Sequence, residues 1–206
     1  FSSLSCFTRH LLPVRYLVSA TVPYLYGSPF YEVISMSSIV QICNMALARV
    51  GSQSITSLSD NVESAKLCNL LYNDIAAEVM ADHPWTAATY RATLNKTTNT
   101  PVYEFANEFQ LPTVPRFLRI LEINQGRAGD YEYRIEGDKL LTDLSSIKIK
   151  YIGFIEDSEN YGALLRQVIT SRLAAELAYS LTGNQSVAQA LFERYRYDMD
   201  NAISAD

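Results

Sequence analysis

The hydrophobic period of this chain changes twice, and that change constrains the fold more than any other feature. Over 39–79 apolar residues recur at three- and four-residue intervals, over 105–155 they alternate, and over 161–203 the helical interval returns. A period near 3.6 lays a stripe along one side of a helix, whereas a period of two fills one face of a strand. The order predicts helix–helix, then strands, then helix–helix. The expected class is α+β, mainly helical: a four-helix bundle from the two chain ends with a small antiparallel β insertion.

Local signals set the expected boundaries. The first helix spans 39–50, with Ser37 or Ser38 as N-cap, Ile39, Ile42, Cys43, Ala46, Leu47 and Val50 on one stripe, and Gly51 as a left-handed C-cap. The second spans 60–83. Asp60, with Glu63 three residues on, has the spacing of a capping box, and Pro84 stops the helix. Trp85 is expected in the core. Residues 86–94 carry no clear period, and 95–101 read as a polar loop. The β region covers 105–155, with strands near 105–111, 117–123, 131–135 and 147–155 and a turn at 136–139. Alternation of Ile147, Ile149 and Tyr151 with Lys148 and Lys150 implies one buried and one wet face. The last helices span 161–182 and 186–203, with Ala188, Leu191, Phe192, Tyr195, Met199, Ala202 and Ile203 as the apolar stripe of the second, and the short Gly183-Asn184 link makes them antiparallel neighbours.

Residues 1–35 stand outside this pattern. They are rich in Ser, Pro and aromatics, and Pro13, Arg15 and Pro23 break the apolar stretch that could pass for a signal peptide or membrane span. Met36 directly precedes the first cap. The expectation is a leader over 1–35, translated upstream sequence or unstructured, and a single domain over 36–206.

The search for chemistry yields little. A net charge of −5 disfavours wrapping nucleic acid by bulk electrostatics, and dropping Arg9, Arg15 and Glu32 leaves 36–206 at −6. Cys43 and Cys68 lie on apolar helical stripes and read as buried thiols. His83, at a helix C-terminus, sits where the dipole favours a charged imidazole, and no GxSxG, HExxH or glycine-rich phosphate loop accompanies it. No catalytic, cofactor-binding or metal-ligating residue is expected, and the protein reads as a non-enzyme. Glu156, Asp157 and Glu159 are paired carboxylates of the kind a glycosidase could use, but they lie in a strand-to-helix link where ordinary helix capping and dipole chemistry account for them better. Lys148, Lys150, Arg116 and Arg119 form a candidate basic stripe, for DNA phosphates or an acidic neighbour. Phe192, Arg194, Tyr195, Arg196, Tyr197 and Met199 form a candidate interface, since Arg and aromatic residues are enriched at protein contacts.

In their order along the chain, three segments resemble the tail tubular protein A and head-to-tail adaptor family of short-tailed bacteriophages. The stretch 46–85 resembles the family's N-terminal helical hairpin through Ala46, Leu47, Val50, Gly51, Ile55, Ser57, Leu58 and Trp85. The stretch 109–123 resembles a family strand through Leu111, Pro112, Leu118, Arg119 and Leu121, although Thr113-Val114-Pro115 stands where the family commonly has an aspartate. The stretch 147–183 resembles the last strand and following helix, through 172–178 and 181–183. The resemblance implies a virion structural protein without cofactor, assembled in the host cytoplasm. It implies a homo-oligomeric ring, commonly of twelve subunits, between the portal protein and the tail nozzle protein, with DNA passing through without sequence specificity and no membrane partner. It places the portal contact in the C-terminal helix, over 192–206. A head-completion connector of a long-tailed phage and, in another class, a cell-wall hydrolase using Glu156, Asp157 or Glu159 remain as alternatives.

Overall fold

The computed structural model describes residues 38–206, so the expectations for the leader, for Met36 as the start and for Ser37 as a cap lie outside the described residues. Helix α1 (Ile39–Val50) forms as its spacing requires. The Ser38 hydroxyl accepts from the Gln41 amide at 3.3 Å, and Gly51 closes the helix at φ 81°, a left-handed conformation that glycine adopts without a Cβ clash. Ile42, Cys43, Ala46, Leu47 and Val50 are buried along one stripe.

Helix α2 (Glu63–Asp82) begins three residues later than the capping-box pattern predicts. The Asp60 carboxylate turns back instead. It accepts from the amides of Ser57 (3.0 Å) and Thr56 (2.8 Å) and from the Thr56 hydroxyl. Its oxygens are thus used by the preceding loop, and Val62 precedes the helix without a side-chain cap. These donors, the Ser57 amide foremost, hold the Asp60 carboxyl below the ordinary carboxylate range.

Helices α3 (Ala163–Thr182) and α4 (Gln185–Ala205) follow the expected hairpin. Gly183 takes φ 62°, and the Asn184 side chain accepts from the amides of Ser186 and Val187. Tyr161, expected as the start of α3, lies before it. Its ring is buried and its hydroxyl donates to the Ile155 carbonyl at 3.2 Å. Helix α3 is the common neighbour of the other three, whereas α1 and α2 meet only marginally. This explains why α3 is buried almost all round, from Leu165 through Val168, Ile169 and Leu173 to Ala178, rather than on one stripe. Ala174, Ala175 and Ala178 keep its surface low where neighbours cross.

The β region begins earlier than expected, at residue 89 rather than 105, and holds two sheets rather than one. Strands β1 (Thr89–Thr93), β3 (Phe117–Ile123), β4 (Gly126–Arg127) and β7 (Lys148–Gly153) form one antiparallel sheet in the order β1-β7-β3-β4. Strands β2 (Asn107–Gln110), β5 (Tyr133–Glu136) and β6 (Lys139–Thr142) form the other, in the order β2-β6-β5. Strand β1 is an edge strand with no fully buried residue, so it lacks apolar alternation and is held by pairing to β7.

Strand β7 also departs from the one-face reading. Ile147, just before it, and Ile149 and Tyr151 pack with Phe109, Leu140 and Ile123 between the two sheets. On its opposite face only Lys148 and Lys150 are wet. Ile152, next on that face, enters the helical core, as does Ile155 beyond the strand. Leu118 and Leu121 of β3 pack against the same core. Gly153 ends the strand where a Cβ would stand 2.9 Å from both the Pro115 and Tyr90 side chains, so this closely packed position excludes any larger residue.

Two outcomes test this arrangement. Ile152→Ala is expected to cost about 2–4 kcal/mol in urea unfolding, as a cavity in a packed core, whereas Lys148→Ala, at the other end of the same face of β7, stays within roughly 0.5 kcal/mol. Equal, small effects would contradict the two-sided burial of β7. The contribution of Asp60 is fully present above the ordinary carboxylate pKa of about 4. It is lost as pH falls through the depressed folded value. The difference in melting temperature between the parent and Asp60→Ala should therefore shrink on acidification from neutrality to below that value; a difference that persists undiminished would exclude the carboxylate as its source.

Candidate functional site

The six C-terminal residues singled out in the sequence do not form one outward surface. Tyr195 is buried, and Met199 is half-buried against the helical core. Phe192 is 45% exposed and Tyr197 63% exposed. Arg196 is exposed, and Arg194 folds along the helix to Asp198, Nε to Oδ1 at 3.0 Å. At about 100° per residue, Phe192, Arg196, Met199 and Ile203 fall on one stripe of α4, while Tyr197 points well away from it. Ile203, expected in the core stripe, is instead 43% exposed. The inward stripe runs through Tyr195, Asp198 and Ala202. Sequence periodicity assigned both stripes to the core because their apolar residues interleave.

Around Phe192 the surface is braced from three helices. The Arg172 guanidinium of α3 lies 6.0 Å from the Phe192 ring and 5.6 Å from the Tyr195 ring. It also pairs with Glu78 of α2 at 3.3 Å and with Glu176 one turn along α3. Burial pushes the Tyr195 phenol above its ordinary pKa.

Behind that surface lies a polar cluster that the sequence did not reveal. The Asp198 side chain is 1% exposed. Its carboxylate accepts from Gln167 (3.1 Å), Ser171 (2.5 Å) and Arg194 (3.0 Å), and lies 3.7 Å from Arg49 of α1, which also donates to the Ser171 hydroxyl. Desolvation lowers the Arg49 pKa. The cluster ties α1, α3 and α4 together through one buried anion. The i, i+4 spacing of Arg194 to Asp198 was the one signal in the sequence, and it reads as an ordinary surface pair.

The other end of α4 is fastened to the corner after α2. The Asp206 carboxylate accepts from the Thr86 amide at 3.0 Å and lies 3.5 Å from His83 Nε2. The His83 ring meets Trp85 edge-on at 4.8 Å. Trp85 is 1% exposed and donates from Nε1 to the Val79 carbonyl at 2.8 Å, which makes it the core anchor expected.

The remaining candidates divide as follows. Asp157 accepts from the Glu159 amide at 3.0 Å and the Asn160 side chain at 3.4 Å, capping the short turn Ser158–Asn160. Glu156 and Glu159 are exposed beside it. The predicted basic stripe is split. Arg116 covers the Phe154 ring at 4.8 Å, and Arg119 reaches the Asp82 carbonyl at 3.5 Å. Lys148 and Lys150 join Arg91, the cross-strand partner of Lys150 on β1, around a cleft of about 290 Å³. Arg91 was missed because β1 itself was. Cys43 and Cys68 are buried free thiols side by side, and the hydrogen bond that Cys43 donates to Cys68, together with burial, pushes the Cys43 thiol up. Among the described residues no three His, Cys, Asp or Glu side chains are grouped to hold a metal, and no helix is long and apolar enough to cross a membrane.

Asp198→Ala is expected to destabilise the fold by about 2–3 kcal/mol, somewhat less than a fully buried pair, because Arg49 keeps access to water. Tyr197→Ala should stay within roughly 0.5 kcal/mol. Denaturant midpoints of the two variants distinguish the inner from the outer surface of α4, and a larger loss for Tyr197→Ala would reverse the assignment.

No protein-family model matches the chain, and comparison with curated proteins finds no match.

Proposed function

We propose that this protein is a virion structural protein, the head-to-tail adaptor that forms a ring between the portal and the tail nozzle of a short-tailed bacteriophage. In this reading twelve copies surround a central passage for DNA. The four helices act as one bundle centred on α3, with α4 carrying the portal contact. The observation that carries the reading is the stripe Phe192, Arg196, Met199 and Ile203: apolar and cationic side chains held on a helix whose inner face and last residue are both fastened. A rigid helix offering aromatic and arginine side chains suits a docking surface, because little side-chain and backbone freedom is lost on binding. The order of sequence motifs from Ala46 to Gly183 supports the same assignment.

Mixing purified protein with purified portal and viewing the product by negative-stain electron microscopy tests the reading. Rings seated on the portal are expected. Phe192→Ser combined with Ile203→Ser should weaken that docking on the order of tenfold or more, since hot-spot side chains dominate such interfaces, while the variant stays folded and loses less stability than Asp198→Ala. A protein that never binds portal and never forms rings would remove the assignment.

A further inference from the structure

Two surfaces outside α4 are complementary to each other. The first is the segment 99–104 and the groove beneath it. Val102 is 96% exposed and Tyr103 78% exposed at its tip. The base of this segment is held firmly. Phe105 is buried, the Ala106 amide donates to the Asp143 carboxylate at 2.8 Å, and Glu104, at φ 72°, pairs with Arg134 at 3.0 Å. A non-glycine residue kept in the left-handed region, with two large apolar side chains held out in water, is not what folding of the single chain requires. The groove of about 500 Å³ beside the tip is lined by Glu104, Glu108, Glu136 and Lys139, and Arg134 takes up the Glu104 carboxylate at its edge.

The second surface is the cleft between β1 and the β3–β4 turn. It reverses the balance, with Arg91, Lys148 and Lys150 against the single carboxylate of Glu122. Lys150 pairs with Glu122 at 3.0 Å, and Arg91 and Lys148 have no carboxylate partner among the described residues. Ala92 and Ile149 contribute to its lining. Its volume of about 290 Å³ accommodates an aromatic side chain, given that a cavity of roughly 150 Å³ holds a benzene ring.

We infer that the Val102–Tyr103 tip and acidic groove of one copy dock in the cationic cleft of the next copy. The contact joins two different surfaces and is therefore heterologous, the kind that propagates and closes into a ring when the rotation permits. This inference rests on the ring reading above and names the subunit contact within it. Charge complementarity selects the partner: Glu108 and Glu136 beside an aromatic tip meet Arg91 and Lys148 around a cleft of aromatic size, whereas Glu104 and Lys150 already pair within their own chain.

Tyr103→Cys and Thr93→Cys combined in one chain, with Cys6→Ser so that the one cysteine outside the described residues cannot take part, test the geometry. Oxidation with diamide should give a ladder of disulfide-linked multimers on rings or on portal-bound assemblies, and neither single variant should give that ladder. Lys148→Glu should weaken self-association on the order of tenfold or more, and Glu136→Lys in the same chain should restore it. Rings that form normally with Lys148→Glu, or that give no ladder, would overturn the inference and leave the adaptor reading standing. Wild-type protein that self-associates neither alone nor on portal would overturn both. Salt-dependent retention of DNA that Lys148→Glu abolishes, with self-association intact, would reassign the cleft to nucleic acid and overturn the inference.

Discussion

The structure depends on β7 being buried on both faces. A strand with one wet face requires only one covering layer, and a helical layer alone would suffice. Here Ile152 faces the helices while Ile149 and Tyr151 face a second sheet. Removing either layer would expose a row of apolar side chains. The chain therefore builds two cores that share one sheet, with β3 as well as β7 contributing side chains to both. The helical core takes Trp85, Leu165, Ile169 and Leu173, and the intersheet core takes Phe109, Ile123 and Leu140. Gly153 marks the place where the packing around this strand leaves no room for a side chain.

Around that frame, polar contacts fix the last helix rather than the first sheet. The apolar contribution of α4 is modest, with Tyr195 and Ala202 the only fully buried apolar side chains on it. Asp198 compensates by accepting from Gln167, Ser171 and Arg194 and by its ion pair with Arg49. A buried carboxylate with so many partners fixes the register of α4 on α3 and α1, because any slip would leave the anion unsatisfied at a cost of several kcal/mol. Asp206 at the corner of Thr86 holds the far end. The outward stripe of α4 is consequently presented in one orientation, which suits a surface meant for a partner.

Much of the fold was legible in local signals. Ser38, Gly51, Gly183 and Asn184 cap where short-range chemistry says they should, and β3 has the bounds that its alternation implies. The misses share a cause. Asp60 looked like a helix cap because the spacing to Glu63 is right, yet its oxygens find the amides of Thr56 and Ser57 first. Strand β1 was invisible because its position is set by β7, more than fifty residues away, and not by its own side chains. In the candidate site, the types of residue were legible but their directions were not. Arg and aromatic residues pointed to α4, while the inward turn of Tyr195, the outward turn of Ile203 and the separation of Tyr197 depend on which side α3 lies.

By itself the sequence determined the order helix–helix, strands, helix–helix and the caps at Ser38, Gly51, Gly183 and Asn184, because each of these is written in the spacing of neighbouring residues. The tertiary structure alone decided that the β region is two sheets, that Arg91 joins Lys148 and Lys150, that Asp198 is a buried hub, and which stripe of α4 faces water. Those features arise from contacts between residues distant in the chain. Such contacts are selected by the burial of whole faces, and no local period encodes which face meets which.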